Sequence, residues 1–144
     1  MEFSSLEELV RYVESKQSQA MNSVGREMKE IMKQETNSQV DAYSNSIYEN
    51  TGDIIDCIDI TDMSKDSVEV SWKDNGGWHS VIDGSHMYAP YALENGTAWG
   101  RGKTRTNLSY RPKTNFVEES MDKIKSEIPN EYKRIMNGLG VPLK

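Results

Sequence analysis

The first 35 residues carry apolar side chains at intervals of three and four positions, which is the spacing of one face of an α-helix. Ser4 and Ser5 stand three residues ahead of Glu7 and Glu8, which is the spacing of a helical capping box. The pattern therefore predicts a long amphipathic helix over residues 5–35. Its apolar face comprises Leu6, Leu9, Val10, Val13, Ala20, Met21, Val24, Met28, Ile31 and Met32.

A second apolar pattern with helical spacing lies near the end of the sequence. Asn115 and Glu118 supply a capping signal, and the pattern predicts a helix over residues 115–137. Pro129 lies inside this stretch and is expected to kink or restart the helix, because proline lacks a backbone donor and clashes with the preceding turn. Gly138 follows, as glycine commonly does where a helix ends.

Between the two helical patterns, apolar and β-branched residues favour strands. Ile54–Asp62 is one predicted strand and Ser67–Lys73 is a second. In the second strand, Val68, Val70 and Trp72 alternate with polar residues, as expected where one face of a strand is buried.

Turn residues at Asp74–Gly77 indicate a hairpin, with Trp78–Ile82 returning as a strand partner. Tyr88–Glu94 is a further predicted strand, in which Pro90 favours a sheet edge or a bulge. The order helix, strands, helix predicts an α+β fold, with an antiparallel sheet of about three to four strands packed against the N-terminal and C-terminal helices. At 144 residues, a single domain spanning residues 1–144 is the most economical organisation.

The segment Trp99–Thr114 has no apolar periodicity, which predicts a long loop over residues 98–114. This segment contains five basic residues and no acidic one, and because the whole chain has a net charge of −6, the remainder carries −11. A basic loop attracts an acidic protein surface or phosphate in a salt-dependent way. Contact with a partner protein, contact with passing DNA and a merely solvated loop all stay open. The basic residues are Arg101, Lys103, Arg105, Arg111 and Lys113.

Candidate catalytic and metal-binding patterns are weak. Cys57 is the single cysteine, and its place among isoleucines favours a packing residue over a nucleophile. His79, Asp83 and His86 lack the register of a zinc site, and no nucleophile elbow or phosphate-binding loop is present. Four aspartates also lack the spacing of a calcium loop, and these are Asp53, Asp56, Asp59 and Asp62. We therefore expect no enzymatic activity, no cofactor and no metal, and the lack of a long apolar run predicts no membrane segment.

Two motifs resemble those of a known protein family. The stretch Tyr88–Thr97 reads YAPYALENGT, and Arg111-Pro112 follows the basic loop and precedes the C-terminal helix. A Thr-Gly pair, Thr51 and Gly52, precedes the first predicted strand. In order and spacing, over about residues 5–139, these motifs resemble the tail-completion, or head-to-tail joining, proteins of long-tailed double-stranded DNA bacteriophages, a family of minor capsid or tail components.

The resemblance implies a structural virion protein of the phage neck that completes the tail and joins it to the DNA-filled head. It implies a ring, expected to be a hexamer, that is assembled in the host cytoplasm. The expected partners are other copies of the chain, the neck connector or stopper, and the tail tube or tail terminator, with passing DNA as a further contact and no membrane. The interface residues expected from these motifs and the basic loop are Tyr88, Tyr91, Glu94, Gly96, Thr97, Trp99, Arg101, Lys103, Arg105, Tyr110, Arg111 and Pro112.

Other functions stay open at this point. A tail terminator or another minor tail or capsid component is the nearest one. A nucleic-acid-binding protein would use the basic loop, although the net charge of −6 argues against it. A hydrolase would require a perturbed acid or histidine pair near His79 and His86.

Overall fold

The protein has an α+β fold, as the sequence predicts. The computed structural model describes residues 2–41, 53–74, 88, 90, 98–100, 108–110 and 114–144. The helices and strands of these residues are, in chain order, α1 (Leu6–Thr36), a π-helical segment (Asn37–Asp41), α2 (Asp53–Asp56), β1 (Ile58–Met63), β2 (Val68–Trp72), β3 (Ala98–Gly100), β4 (Leu108–Tyr110) and α3 (Phe116–Gly138).

Helix α1 agrees with the predicted helix to within one residue at each end. Ser5 is its N-cap, and the Ser5 hydroxyl accepts a hydrogen bond from the backbone N–H of Glu8 at 3.2 Å. The Glu8 carboxylate accepts bonds from the backbone N–H and the hydroxyl of Ser4, at 2.7 and 2.6 Å. The start of α1 therefore resembles a capping box, except that the Glu8 side chain bonds to Ser4, the residue before the N-cap, and not to Ser5 itself.

Strands β1 and β2 form an antiparallel hairpin that lies along α1. Lys29 on α1 pairs with Asp59 at the start of β1, with 3.4 Å between Nζ and Oδ1. Lys65, in the turn between the strands, pairs with Glu14 at 2.7 Å. The hairpin therefore points toward the N-terminal end of α1, and its turn lies beside Glu14.

Gly25 allows the hairpin to approach α1 closely. A Cβ atom at this position would lie 3.0 Å from the side chains of both Ile60 and Val68. Because these two residues belong to different strands, the lack of a side chain at position 25 allows both β1 and β2 to pack closely on α1. A glycine in the middle of a helix costs about 0.5–1 kcal/mol relative to alanine, and here the packing of the two strands offsets that cost.

Helix α3 packs antiparallel against α1. Lys123, near the start of α3, forms an ion pair with Glu35 near the end of α1. Past the other end of α3, a Cβ on Gly140 would lie 3.2 Å from the Tyr12 hydroxyl. Gly140 has a positive φ of 89° and closes the helix in a Schellman motif, in which Val141 N–H donates to the carbonyl of Met136 at 2.9 Å.

Pro129, predicted to kink or restart the C-terminal helix, does not restart it, since α3 continues through the proline. Only one backbone donor is lost there, and α3 contacts α1 on both sides of the proline. Asn115 is the N-cap, but its side chain makes no capping bond; instead its backbone N–H donates to Oε1 of Gln39 at 2.9 Å.

The core lies where α1 meets the hairpin and α3. Phe116 is fully buried at the start of α3, and its ring meets that of Trp72 edge-on, with 5.3 Å between centroids. This contact ties the end of β2 to α3. Among the described residues, the buried hydrophobic side chains of this core include Ala20, Met21, Val24, Ile31, Met32, Ile54, Ile58, Phe116 and Met136.

Part of the first predicted strand, Ile54–Asp62, is helical. Residues Asp53–Asp56 form α2, and β1 begins only at Ile58. Ile54 and Ile58 are both buried. Because they are four residues apart, their spacing suits a helical turn as well as an alternating strand, so the pattern alone does not separate the two.

The predicted strand Tyr88–Glu94 does not run through Pro90, which is helical and buried. Proline has a φ angle that suits the first turn of a helix, and it cannot donate to a strand ladder. Tyr88 itself has no regular structure. The rest of this predicted strand and the predicted strand Trp78–Ile82 lie outside the described residues.

The segment predicted as a long loop over residues 98–114 contains β3 and β4, which pair as a short antiparallel ladder. Each strand has three residues, which is too short for a periodic pattern to show in sequence. The four described strands thus form two two-stranded sheets. The paired residues of the second sheet are Ala98 and Tyr110, Trp99 and Ser109, and Gly100 and Leu108.

Candidate interaction surfaces

The first candidate surface is the β3–β4 hairpin (Ala98–Tyr110), which overlaps the basic segment Trp99–Thr114. Because β3 pairs with β4, residues 101–107 connect two neighbouring strands. In sequence, Arg101, Lys103 and Arg105 fall between β3 and β4, and Arg111 directly follows β4.

Most of the predicted interface residues lie outside the described residues, so their contacts stay predictions. For Trp99 and Tyr110 the structure gives the backbone pairing only. The residues outside the described part of the chain are Tyr91, Glu94, Gly96, Thr97, Arg101, Lys103, Arg105, Arg111 and Pro112.

Tyr88 is the one predicted interface residue whose side chain the structure describes. It is 40% exposed, and its hydroxyl donates to the backbone carbonyl of Trp72 at 2.8 Å. Burial of the hydroxyl, and then the nearby Asp74 and Cys57, raise the pKa of Tyr88 above its usual value. Tyr88 therefore anchors its segment to the end of β2 while leaving part of its ring on the surface.

The second candidate surface was not predicted, and it lies at the N-terminal end of α1. Leu6, Leu9 and Val10 are 75%, 38% and 47% exposed, although the sequence pattern places them on the same face as the core residues. We call these three residues the α1 tip. Their spacing of three and four positions puts them side by side on the helix.

The exposure of the α1 tip follows from the lengths of the elements. With 31 residues, α1 is about 46 Å long, at about 1.5 Å per residue. Six-residue β1 is about 20 Å long, at about 3.4 Å per residue. The hairpin turn reaches α1 at Glu14, one helical turn after Val10. Because β1 is so much shorter than α1, the first turns of the helix project beyond the hairpin.

Acidic side chains surround the α1 tip. Residues 2–14 contain four glutamates and one arginine. Lys65 pairs with Glu14, whereas Glu2, Glu7 and Glu8 are exposed. Hydrogen bonds from Ser4 lower the pKa of Glu8, which keeps its carboxylate ionised. The tip therefore combines an apolar patch with negative charge.

The opposite end of α1 carries a polar network that joins it to α3. Glu35 is only 5% exposed, and its carboxylate accepts hydrogen bonds from Lys123 and, at 3.0 Å, from the Gln39 side chain. Gln39 also donates to Glu119 at 2.8 Å. The bond from Lys123 lowers the pKa of Glu35 against the opposing effect of burial. We call these four residues the Glu35 cluster.

The Glu35 cluster has a structural role that sequence reasoning missed. Glu35 and Gln39 are four residues apart, as are Glu119 and Lys123, so each pair shares one face of its helix. Glu35 also follows Ile31 and Met32 on the buried face of α1. In the sequence, the signal is a glutamate that continues the apolar stripe of α1. Such a residue indicates a buried carboxylate that requires a cationic partner.

The structure gives no support to a metal site among the aspartates. Asp59 lies 3.4 Å from Lys29 and 3.8 Å from Lys73, so positive charge already balances its carboxylate. The backbone N–H of Ile60, followed by Lys29, lowers the pKa of Asp59. No group of three acidic, histidine or cysteine residues suited to a metal occurs among the described residues. His79, Asp83 and His86 lie outside them.

No helix within the described ranges is both long enough and apolar enough to cross a bilayer.

Comparison with known proteins gives a family match. The protein-family model described as YomN matches residues 5–139. No curated protein and no solved structure matches the chain. The matched range includes the three α-helices and the four strands of the described residues, together with the basic segment.

Proposed function

Because the chain belongs to the YomN family, a phage-derived family of the Bacillus prophage type, we propose that it is a structural protein of a phage virion. In this proposal it lies in the neck, completes the tail and joins it to the DNA-filled head. It acts by protein contacts within a ring, after assembly in the host cytoplasm, and uses neither a cofactor nor a catalytic step. The phage origin of the family and the motif resemblance of Tyr88–Thr97 with Arg111-Pro112 both support this proposal.

The observation that carries the proposal is the pairing of β3 with β4. In sequence, Arg101, Lys103 and Arg105 lie among the seven residues between these two paired strands, and this position supports the proposal. A hairpin that gathers basic residues is suited to inserting into an acidic surface. Because the rest of the chain carries −11, other copies of the same protein offer such a surface.

A ring requires head-to-tail contacts, in which each subunit uses one surface to hold its neighbour and a different surface to be held. Segregated charge suits this arrangement, since the basic hairpin of one copy faces the acidic body of the next. Electrostatic complementarity of this kind sets orientation and the rate of association, and it weakens as salt rises. The same hairpin is available to the neck and tail proteins on either side of a ring.

The proposal is tested by deleting the gene from its phage and imaging lysates by electron microscopy. We expect full heads and complete tails of normal length to accumulate unattached, and purified protein to join them. Tails of abnormal length would instead indicate the alternative role of tail terminator. Intact infectious particles would contradict a structural role in the neck.

Charge reversal tests the hairpin itself. The variant Arg101→Glu, Lys103→Glu, Arg105→Glu is expected to lose joining activity in the lysate assay while keeping its helical circular dichroism signal. A matched control reverses three exposed lysines outside the hairpin, namely Lys125, Lys133 and Lys144, and so makes the same change in net charge. Joining by the hairpin variant at physiological salt would show that the hairpin is not the contact.

A further inference from the structure

We infer that the α1 tip is the surface that receives the β3–β4 hairpin of a second copy of this chain. The inference rests on the proposed ring and names both sides of the contact between its subunits. One copy supplies Leu6, Leu9 and Val10 with their acidic surroundings, and the next supplies the basic hairpin.

The apolar part of the argument starts from the exposure of the tip. Leu6 is 75% exposed and Val10 is 47% exposed, yet both belong to the same helical stripe as the core residues. Grouped exposed apolar side chains on a helix are typical of a surface that another protein covers. In sequence, strands β3 and β4 include three large apolar or aromatic residues, Trp99, Leu108 and Tyr110. Aromatic residues are enriched at the centres of such interfaces.

The tip is also held in place, as a docking surface needs to be. Ser5 caps the helix, and Glu8 closes the bonds back to Ser4. The ring of Phe3 packs on Tyr12 at 5.1 Å between centroids, on the stretch of α1 next to the tip. The ion pair of Lys65 with Glu14 fixes the hairpin turn just behind the tip. The end of α1 is therefore formed without a partner, and docking does not have to pay for folding it.

The electrostatic part of the argument identifies the occupant. Glu2, Glu7 and Glu8 are exposed around the tip, with Arg11 as the opposing charge, whereas Glu14 is balanced by Lys65. The longest stretch of the chain with basic but no acidic residues is the β3–β4 hairpin and its flanks. The tip and this basic stretch of the sequence thus carry charge of opposite sign. An interface between different surfaces of identical chains propagates head to tail.

A mixing experiment tests the contact. The tip variant Leu6→Ser, Leu9→Ser keeps an intact hairpin, and the hairpin variant Arg101→Glu, Lys103→Glu, Arg105→Glu keeps an intact tip. Sedimentation velocity is measured for the wild type, for each variant alone and for their mixture at about 0.15 M salt. We expect the wild type to self-associate, each variant alone to be monomeric, and the mixture to form dimers and nothing larger.

The matched control is Met121→Ser, which removes an apolar side chain that is 51% exposed on α3. This variant is expected to self-associate like the wild type. Replacing either leucine of the tip with serine is instead expected to weaken association at least about tenfold. Circular dichroism and thermal unfolding show whether each variant keeps its fold. A tip variant that unfolds is replaced by Leu6→Gln, which changes only the most exposed residue of the tip.

Three results would overturn the inference. The first is a wild-type chain that stays monomeric at high concentration. A tip and hairpin that contact each other within one chain would also give this result, because neither surface would then be open to a second copy. The second is a tip variant that associates normally, and the third is a mixture of variants that stays monomeric. The proposed function is judged separately in the lysate assay. Joining by a variant that no longer self-associates contradicts the ring, whereas a tip variant that still self-associates and still joins heads to tails contradicts the tip contact alone.

Discussion

The two ends of α1 have the same amphipathic pattern but opposite surroundings. At the C-terminal end, Ile31, Met32 and Thr36 are buried, and the carboxylate of Glu35 is buried with them. At the N-terminal end, the leucines and the valine of the α1 tip are exposed. The periodicity of a helix thus identifies a face that requires cover, but the neighbouring elements decide which part of that face is covered within the chain.

The two ends of α1 should also contribute to different properties, the C-terminal end to folding stability and the tip to association. Contacts at the C-terminal end join α1 to α3 through the Glu35 cluster and to the rest of the core. Next to the tip, the described contacts are the Ser5 cap and the packing of Phe3 on Tyr12. Substitutions at the first end should therefore change the free energy of unfolding, and substitutions at the tip should change association. The following predictions test this division.

The largest effect is expected for Phe116→Ala, near the covered end of α1. Phe116 is fully buried and contacts Trp72 edge-on, so the substitution leaves a cavity and should lower the free energy of unfolding by about 3–5 kcal/mol. Urea unfolding followed by circular dichroism measures this loss. The control Met121→Ala, on the exposed side of the same helix, should have little effect. Equal losses for the two variants would show that α3 does not pack as described.

Glu35→Ala should produce the next largest effect. The substitution leaves Lys123 and Gln39 without their shared acceptor, and a hydrogen bond to a charged group contributes about 1.5–3 kcal/mol. Because both donors are partly exposed and can bond to water instead, we expect the free energy of unfolding to fall by about 1.5–3 kcal/mol in total. Glu30→Ala is a suitable comparison, because Glu30 lies on the same helix with its side chain 60% exposed and should change stability little. A smaller loss for Glu35→Ala than for Glu30→Ala would contradict a buried cluster.

The contribution of Glu35 should also depend on pH. Its pKa is lowered in the folded protein, chiefly by Lys123, so its stabilising effect is complete above its ordinary value of 4.5 and is lost as pH falls through the folded pKa. The difference in stability between the wild type and Glu35→Gln should be largest at neutral pH and shrink on acidification. Urea unfolding at several pH values gives this difference directly. A difference that grows as pH falls would reverse the assigned sign.

The sequence predicted α1 and α3 more accurately than it predicted the segments between them. Both helices repeat their apolar pattern over many turns, which makes their existence and bounds clear. In β2, the alternation of Val68, Val70 and Trp72 was sufficient for the same reason. Helix α2 and strands β3 and β4 have four or three residues each, so a local pattern has too few positions to distinguish helix, strand and loop.

The two candidate surfaces were predictable to different degrees. The basic segment is visible from its composition, but β3 and β4 have only three residues each, so their pairing leaves no local pattern in the sequence. The exposure of Leu6, Leu9 and Val10 depends on where the β1–β2 hairpin ends along α1. That position depends on tertiary packing, which periodicity does not contain.

Loss of the helix cap at the tip should have a smaller effect than the changes at the covered end. Ser5→Ala removes the acceptor for the backbone N–H of Glu8 and should lower stability by about 1 kcal/mol. Amide hydrogen exchange is expected to rise in the first turn of α1 and to stay unchanged near Glu35. Ser5→Asp, which retains a capping oxygen, should restore protection. Uniform loss of protection along α1 would mean that the two ends of the helix are not independent.

The smallest effect on stability is expected for Leu6→Ser, and this is the sharpest test of the comparison. Leu6 is 75% exposed, so its removal exchanges little buried surface and should change the free energy of unfolding by no more than about 0.5 kcal/mol. Ile31→Ser, on the same stripe but 8% exposed, should cost several times as much, since it creates a cavity and buries a hydroxyl. Thermal unfolding at low protein concentration measures both variants without a contribution from self-association. If Leu6→Ser costs as much as Ile31→Ser, the tip is covered within its own chain and is not available to a second copy.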